Sequence, residues 1–120
     1  MSSERILVVD DELFVRELLL EFLSTEGYDV LLADSGEKAV EIVQTQPTDV
    51  VLLDLKMAGM DGIETLKQIK KIDPNALAIV MTGYPTIESS IDALRYGACD
   101  YVIKPFKLND LKSSIENALR

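Results

Sequence analysis

The stretch RILVVDDELF, Arg5 to Phe14, drives an apolar run without a break into Asp10, Asp11 and Glu12. A run of that length and without alternation reads as a strand covered on both faces, as in the middle of a parallel sheet. Its ending is the puzzle. Burying even an uncharged polar group unpaired costs about 2–7 kcal/mol, so adjacent carboxylates at the end of a buried strand need something to offset them.

Four more strand-length apolar runs follow: YDVLLA from Tyr28, DVVLLDL from Asp49, ALAIVMT from Ala76 and YVI from Tyr101. Segments with helical spacing lie between them. Val15, Leu18, Leu19, Phe22 and Leu23 form one apolar stripe, which Gly27 can close as a C-terminal cap. Ala39, Ile42 and Val43 form another behind a Ser35 or Asp34 cap, and Asp61 with Glu64 resembles a capping box before Ile63 and Leu66. Ile87, Ile91, Leu94 and Ala98 follow Thr86, and Leu108, Leu111, Ile115 and Leu119 close the chain. Alternating strands and helices joined by short connections predict a three-layer α/β domain with a five-stranded parallel sheet and right-handed crossovers.

The totals narrow the function. The chain has 120 residues, enough for one hydrophobic core, and a net charge of -9, which repels nucleic acid and anionic membranes. It has no histidine and one cysteine, Cys99, so a zinc site, Ser-His or Cys-His catalysis, an internal disulfide and a phosphohistidine on this chain are all excluded. MSSERIL lacks the long apolar segment of a signal peptide, and the expected location is the cytoplasm.

In an open parallel sheet, ligands bind beyond the carboxyl ends of the strands, where the strand order reverses. At those ends stand Asp10 and Asp11, Asp54, Thr82 with Gly83, and Lys104 with Pro105. Taken singly, each has an ordinary explanation: Asp10 or Asp11 as a helix N-cap, Asp54 as a solvated acid, Thr82-Gly83 as a turn, Lys104 as a surface charge. Four separate coincidences at one edge weaken that account. The alternative is a single site. Clustered carboxylates without histidine are hard oxygen donors of the kind Mg²⁺ takes, and the cation would offset the repulsion in VVDDE. Without it, at least one of Asp10, Asp11 and Asp54 should show a raised pKa through like-charge proximity. Asp54 is then placed as a nucleophile toward a phosphoryl group, with Lys104 neutralising charge and Thr82 donating to the phosphoryl oxygens.

At this point VVDDE, LLDLKMAGMDG, MTGY and DYVIKPF, in order and spacing, resemble the receiver domains of two-component response regulators, of the chemotaxis-regulator type, over essentially the whole chain. The resemblance implies one receiver domain over residues 1–120 and a flavodoxin-like strand order 2-1-3-4-5. It implies Asp54 as the phosphoacceptor, and Asp10, Asp11, Asp54 and the backbone carbonyl of Lys56 as Mg²⁺ ligands. Thr82 and Lys104 become the phosphoryl contacts, Tyr101 the aromatic switch residue, and the Lys104-Pro105 bond cis. The family's chemistry is that of a phosphoacceptor promoting its own phosphorylation and dephosphorylation, rather than of an enzyme acting on others. Its partners are a histidine kinase or phosphotransfer protein and an output domain or protein. The responding surface is the fourth helix, fifth strand and fifth helix, which also offers itself to a second copy of the chain. Lys56 and Tyr84 flank the attacking water in similar proteins, and bulky Tyr84 is expected to slow self-dephosphorylation. Met57-Ala58 departs from the family's usual Met-Pro, which predicts a less rigid loop. Met57, Met60 and Met81 are expected as core filler and Cys99 as a small buried residue.

Rival readings fare worse. A haloacid-dehalogenase-type enzyme wants a second acid two residues past the nucleophile, where this chain has Lys56, and a nucleotide or flavin module wants a glycine-rich turn after the first strand. A pseudo-receiver that serves only as an interaction domain would not need every phosphorylation residue. The run TGYPTIESSIDALRYGACDYVIKPF most resembles receivers of nitrogen-regulator-type transcription activators.

Overall fold

The computed structural model describes residues 4–57 and 59–120; the Met57-Ala58 expectation therefore lies outside the described residues. Five strands, β1 (Arg5–Val9), β2 (Asp29–Ala33), β3 (Val50–Asp54), β4 (Leu77–Thr82) and β5 (Ala98–Ile103), alternate with five helices, α1 (Leu13–Thr25), α2 (Gly36–Thr45), α3 (Gly62–Ile72), α4 (Ile87–Arg95) and α5 (Leu108–Leu119). All paired strands run parallel, in the order β2-β1-β3-β4-β5.

The unbroken apolar runs have a simple physical cause. Side chains alternate across a strand, so a strand with helices on both faces must be apolar at every position. Ile6 and Val8 of β1, with Val50, Leu52, Ile79 and Met81, pack on one face against Leu19 and Leu23 of α1 and Leu111 and Ile115 of α5. Leu7 and Val9, with Val51, Leu53, Ala78 and Val80, pack on the other against Ala39 and Val43 of α2, Leu66 and Ile69 of α3, and Ala93 of α4.

Helix ends follow local chemistry. After α1, Gly27 adopts φ +95°, its N–H bonds Ser24 O, and the next N–H, of Tyr28, reaches back to Leu23 O, a Schellman stop that only a residue without Cβ enters freely. The Ser35 hydroxyl accepts from Lys38 N–H at α2, and Asp61 Oδ1 accepts from Glu64 N–H at α3. Glu12, not Asp10 or Asp11, holds the N-cap position of α1, and it makes no side-chain capping bond.

Three expectations need correction. Ile87, Ile91 and Leu94 are helically spaced but face solvent, since Ala93 is the buried residue of α4; Ala98 has already left the helix for β5. Cys99 is exposed, because β5 is the edge strand and only partly covered. Met81 is core and Met57, partly buried, packs against the core, whereas Met60 is partly buried and belongs to neither core cluster.

Candidate functional site

Register brings the predicted residues to one edge. Val9 pairs with Leu53, so Asp10 and Asp54 lie at the same level on adjacent strands; Asp54 pairs with Met81, and Thr82 with Ile103, the residue before Lys104. Backbone bonds extend the ladder past the strand ends, from Asp10 N to Ala33 O, Leu55 N to Met81 O and Lys104 N to Thr82 O.

Of the acids in VVDDE, only Asp10 is buried; Asp11 and Glu12 are exposed and solvated. Asp10 is fully satisfied locally. Its Oδ1 accepts from Glu12 N–H at 2.9 Å, its Oδ2 accepts from Lys104 Nζ at 2.7 Å, and its backbone carbonyl accepts from Arg16 Nη1 at 2.8 Å. Asp54, also buried, accepts from Lys56 N–H through Oδ1 at 3.1 Å and from Lys104 Nζ through Oδ2 at 3.4 Å. One ammonium thus joins both buried carboxylates. It supplies within the chain the offset that the opening run demands.

Burial pushes the Asp54 carboxyl above its usual range; Lys56 N–H and Lys104 oppose the shift, and Asp10 adds to it. A raised acid was expected from like charge, but desolvation is the larger cause. Burial would also lower the Lys104 pKa, yet Asp10 and then Asp54 outweigh it, and the net shift is upward. The result is a buried carboxyl that is not over-stabilised as the anion, beside an ammonium that stays charged.

The carboxylate oxygens of Asp10, Asp11 and Glu12 lie within 4.8 Å of one another. An all-oxygen, anionic donor set of this kind fits a hard divalent cation. Glu12 belongs to this group although its position past Asp11 did not single it out as a ligand. It follows Asp11 directly in the chain, and its place at the N-cap of α1 keeps it beside the strand end.

Thr82 is buried at the end of β4, and its hydroxyl accepts from Tyr84 N–H at 3.0 Å, which leaves its own hydrogen to donate. Lys56 and Tyr84 are exposed and meet across the mouth of the site, the Lys56 ammonium 5.5 Å from the Tyr84 ring centroid. Beside them a groove of about 600 Å³ runs between α3 and α4, lined by Lys56, Asp61, Lys67, Thr82, Tyr84 and Ser89 among others. Tyr101 lies farther along β5, half-buried, with its hydroxyl 2.7 Å from Ser89 Oγ. The Lys104-Pro105 peptide is cis, as expected.

Residues 6–116 match the response regulator receiver domain family. The chain is 46% identical over 114 residues to the transcriptional regulatory protein ZraR of Escherichia coli, covering 95% of this chain and 26% of that protein. It is 40% identical over 119 residues to sporulation initiation phosphotransferase F of Bacillus subtilis, covering 99% of this chain and 96% of that one. The chain therefore spans about a quarter of the first relative and nearly all of the second. The response regulator protein TrrA of Thermotoga maritima, solved in complex with Mg(2+)-BeF, superposes with a TM-score of 0.87 at 37% identity, over 96% of this chain and 98% of that one.

Proposed function

The chain belongs to the response regulator receiver domain family, a phosphoacceptor signalling switch, and from that premise we propose that Asp54 is the acceptor. The family implies as donor the phosphohistidine of a histidine kinase or phosphotransfer protein, and because this chain has no histidine that group must lie on the partner. The observation that carries the assignment is the position of Asp54: buried, centred on the sheet edge, and held by one backbone N–H and one ammonium. In the transfer, a carboxylate oxygen of Asp54 bonds to phosphorus while the P–N bond breaks. The leaving imidazole nitrogen keeps the electron pair and takes a proton. Hydrolysis of the acyl phosphate later restores Asp54. Because the carboxylate attacks as the anion, no general base is required.

By the family pattern Asp10, Asp11, Asp54 and the Lys56 carbonyl would hold Mg²⁺; of these, Asp10 and Asp11 already cluster with Glu12, which is close enough to them to contribute. When bound, Mg²⁺ neutralises charge on the transferring phosphoryl oxygens. TrrA, solved with Mg(2+)-BeF, supports this reading. Lys104 binds a phosphoryl oxygen, and Thr82 donates its hydroxyl hydrogen to another. Lys104 is already paired to Asp10, so its new bond exchanges one charged partner for another. Full switching from about 1:99 to 99:1 needs about 5.5 kcal/mol, and a charge-assisted hydrogen bond contributes about 1.5–3 kcal/mol. Two contacts, one of them an exchange, fall short of that. The responsive conformation is therefore partly populated before phosphorylation.

The readout surface is α4, β5 and α5. Ile87 is 81% exposed, Leu94 65% and Ile103 52%, exposed apolar side chains suited to an output domain, a partner protein or a second copy of the chain. The receiver domain is taken to run over residues 1–120, acting in the cytoplasm and without direct contact to nucleic acid or membrane. No described helix is long and apolar enough to cross a membrane.

Incubation with a small-molecule phosphoryl donor and Mg²⁺, followed by intact mass measurement, tests the assignment. One phosphoryl adduct is expected, lost in Asp54→Asn. An adduct that survives in Asp54→Asn overturns it.

A further inference from the structure

The N-terminus of α4 is closed by a reciprocal pair: Thr86 Oγ1 accepts from Ser89 N–H at 2.9 Å, and Ser89 Oγ accepts from Thr86 N–H at 3.2 Å. Ser89 Oγ also lies 3.1 Å from the Thr86 carbonyl and 2.7 Å from the Tyr101 hydroxyl. A serine hydroxyl has one hydrogen and two lone pairs. The hydrogen serves the Thr86 carbonyl and one lone pair serves Thr86 N–H, so the remaining lone pair accepts from Tyr101. Every bonding position of Ser89 is filled. The usual residue at this place in a capping box is Glu or Gln. Serine is shorter, and its hydroxyl therefore serves the helix cap and β5 at once.

The other end of the same loop is tied to the phosphorylation site. Thr82 Oγ1 accepts from Tyr84 N–H, and Tyr84 is two residues from Thr86. Residues 82–89 thus link the Thr82 hydroxyl, at the end of the strand beside β3, to the hydroxyl that holds Tyr101. We propose that Ser89 is a positioning residue, a latch that fastens Tyr101 to the first turn of α4 in the unphosphorylated chain and sets how far the switch is populated before phosphorylation. This rests on the reading of Asp54 as phosphoacceptor. Drawing Thr82 toward a phosphoryl group moves the Tyr84 end of the loop, disturbs the Thr86–Ser89 pair and releases Tyr101. The exposed α4 stripe then changes its relation to β5.

The test follows backbone amides of α4 and β5 by NMR, without and with Mg²⁺ and beryllofluoride as the phosphoryl mimic. Tyr101→Phe removes one hydroxyl and leaves the helix cap whole. It is expected to shift the ligand-free population ratio toward the beryllofluoride form about fivefold, the worth of one ordinary hydrogen bond. Ser89→Ala shifts it at least as far, the double variant no farther than Ser89→Ala, and Ser89→Thr restores the parental ratio. A Tyr101→Phe chain with unchanged populations, beside a shifted Ser89→Ala chain, reduces Ser89 to a helix cap and overturns the latch alone. Additive effects in the double variant overturn it as well. If beryllofluoride leaves the parental amides unmoved, the phosphoacceptor reading falls first and the latch with it.

Discussion

The Lys104 ammonium is held closer to Asp10 than to Asp54, 2.7 Å against 3.4 Å, although Asp54 is the residue that stands at the centre of the sheet edge. Lys104 neutralises the strand-end acid that has no access to water and leaves Asp54 the weaker claim. The arrangement couples stability to chemistry, because the same cation serves both carboxylates.

Replacing Lys104 by methionine leaves Asp10 buried without its cation. Removing one partner of a buried pair costs about 3–5 kcal/mol, and the partial exposure of Lys104 places this case near the lower end. The urea midpoint of Lys104→Met without metal should fall accordingly. Mg²⁺ should recover more stability in the variant than in the parent; an unchanged midpoint would show that Asp10 does not depend on Lys104.

Asp54 makes the metal-free chain respond to acid in the sense opposite to a carboxylate whose pKa is lowered by folding, because burial outweighs its pairing with Lys104. Its folded pKa is raised above the unfolded value, so protonation favours the folded state. The contribution of Asp54 should be flat at neutral pH, rise as pH falls through the raised folded pKa, and be complete below the ordinary carboxylate range. Asp54→Asn should be more stable than the parent at neutral pH and lack that rise. Chemical denaturation across the range reads both.

Tyr84 and Lys56 face each other over the mouth of the site. Taking away the ring opens the approach for water, and Tyr84→Ala should shorten the phosphorylated lifetime several-fold. Decay at the parental rate, followed by loss of the adduct mass, would remove Tyr84 from the account.

On the proposed readout surface, the exposed stripe of α4 should matter to binding rather than to folding. Ile87→Lys and Leu94→Lys should each alter stability by no more than about 0.5 kcal/mol, as expected of surface substitutions. Both should weaken phosphorylation-dependent association, whether with an output partner or a second copy, measured by sedimentation with beryllofluoride present.

Gly62 opens α3 close against the end of β3, and a Cβ there would fall 2.4 Å from Leu55 Cα and 2.8 Å from Asp54 O. Backbone cannot step aside as a flexible side chain can, so Gly62→Ala should cost about 1–3 kcal/mol. It should also slow phosphorylation by displacing Asp54. Normal kinetics with reduced stability would confine the effect to packing.

The strands, the helices and the acids at the sheet edge were legible because each is written in neighbouring residues. An unbroken apolar run means two covered faces, Gly27 means a left-handed stop, and Asp61 before Gly62 means a cap. The α4 stripe shows where that kind of reading ends. Ile87, Ile91 and Leu94 have core-like periodicity, yet the neighbouring Ala93 is what the sheet buries. Periodicity identifies an apolar face but says nothing about what covers it.

By itself, then, the sequence determined the alternation of elements, the charged and polar residues gathered at four strand ends and the need for a compensating cation. Only the tertiary structure decided that Lys104 fills that need for Asp10, that burial rather than like charge raises Asp54, and that Ser89 reaches Tyr101. The reason is physical. Dihedral preference and side-chain period act over a few residues, whereas desolvation and ion pairing depend on which strands are neighbours, and here those contacts join residues as many as 94 positions apart.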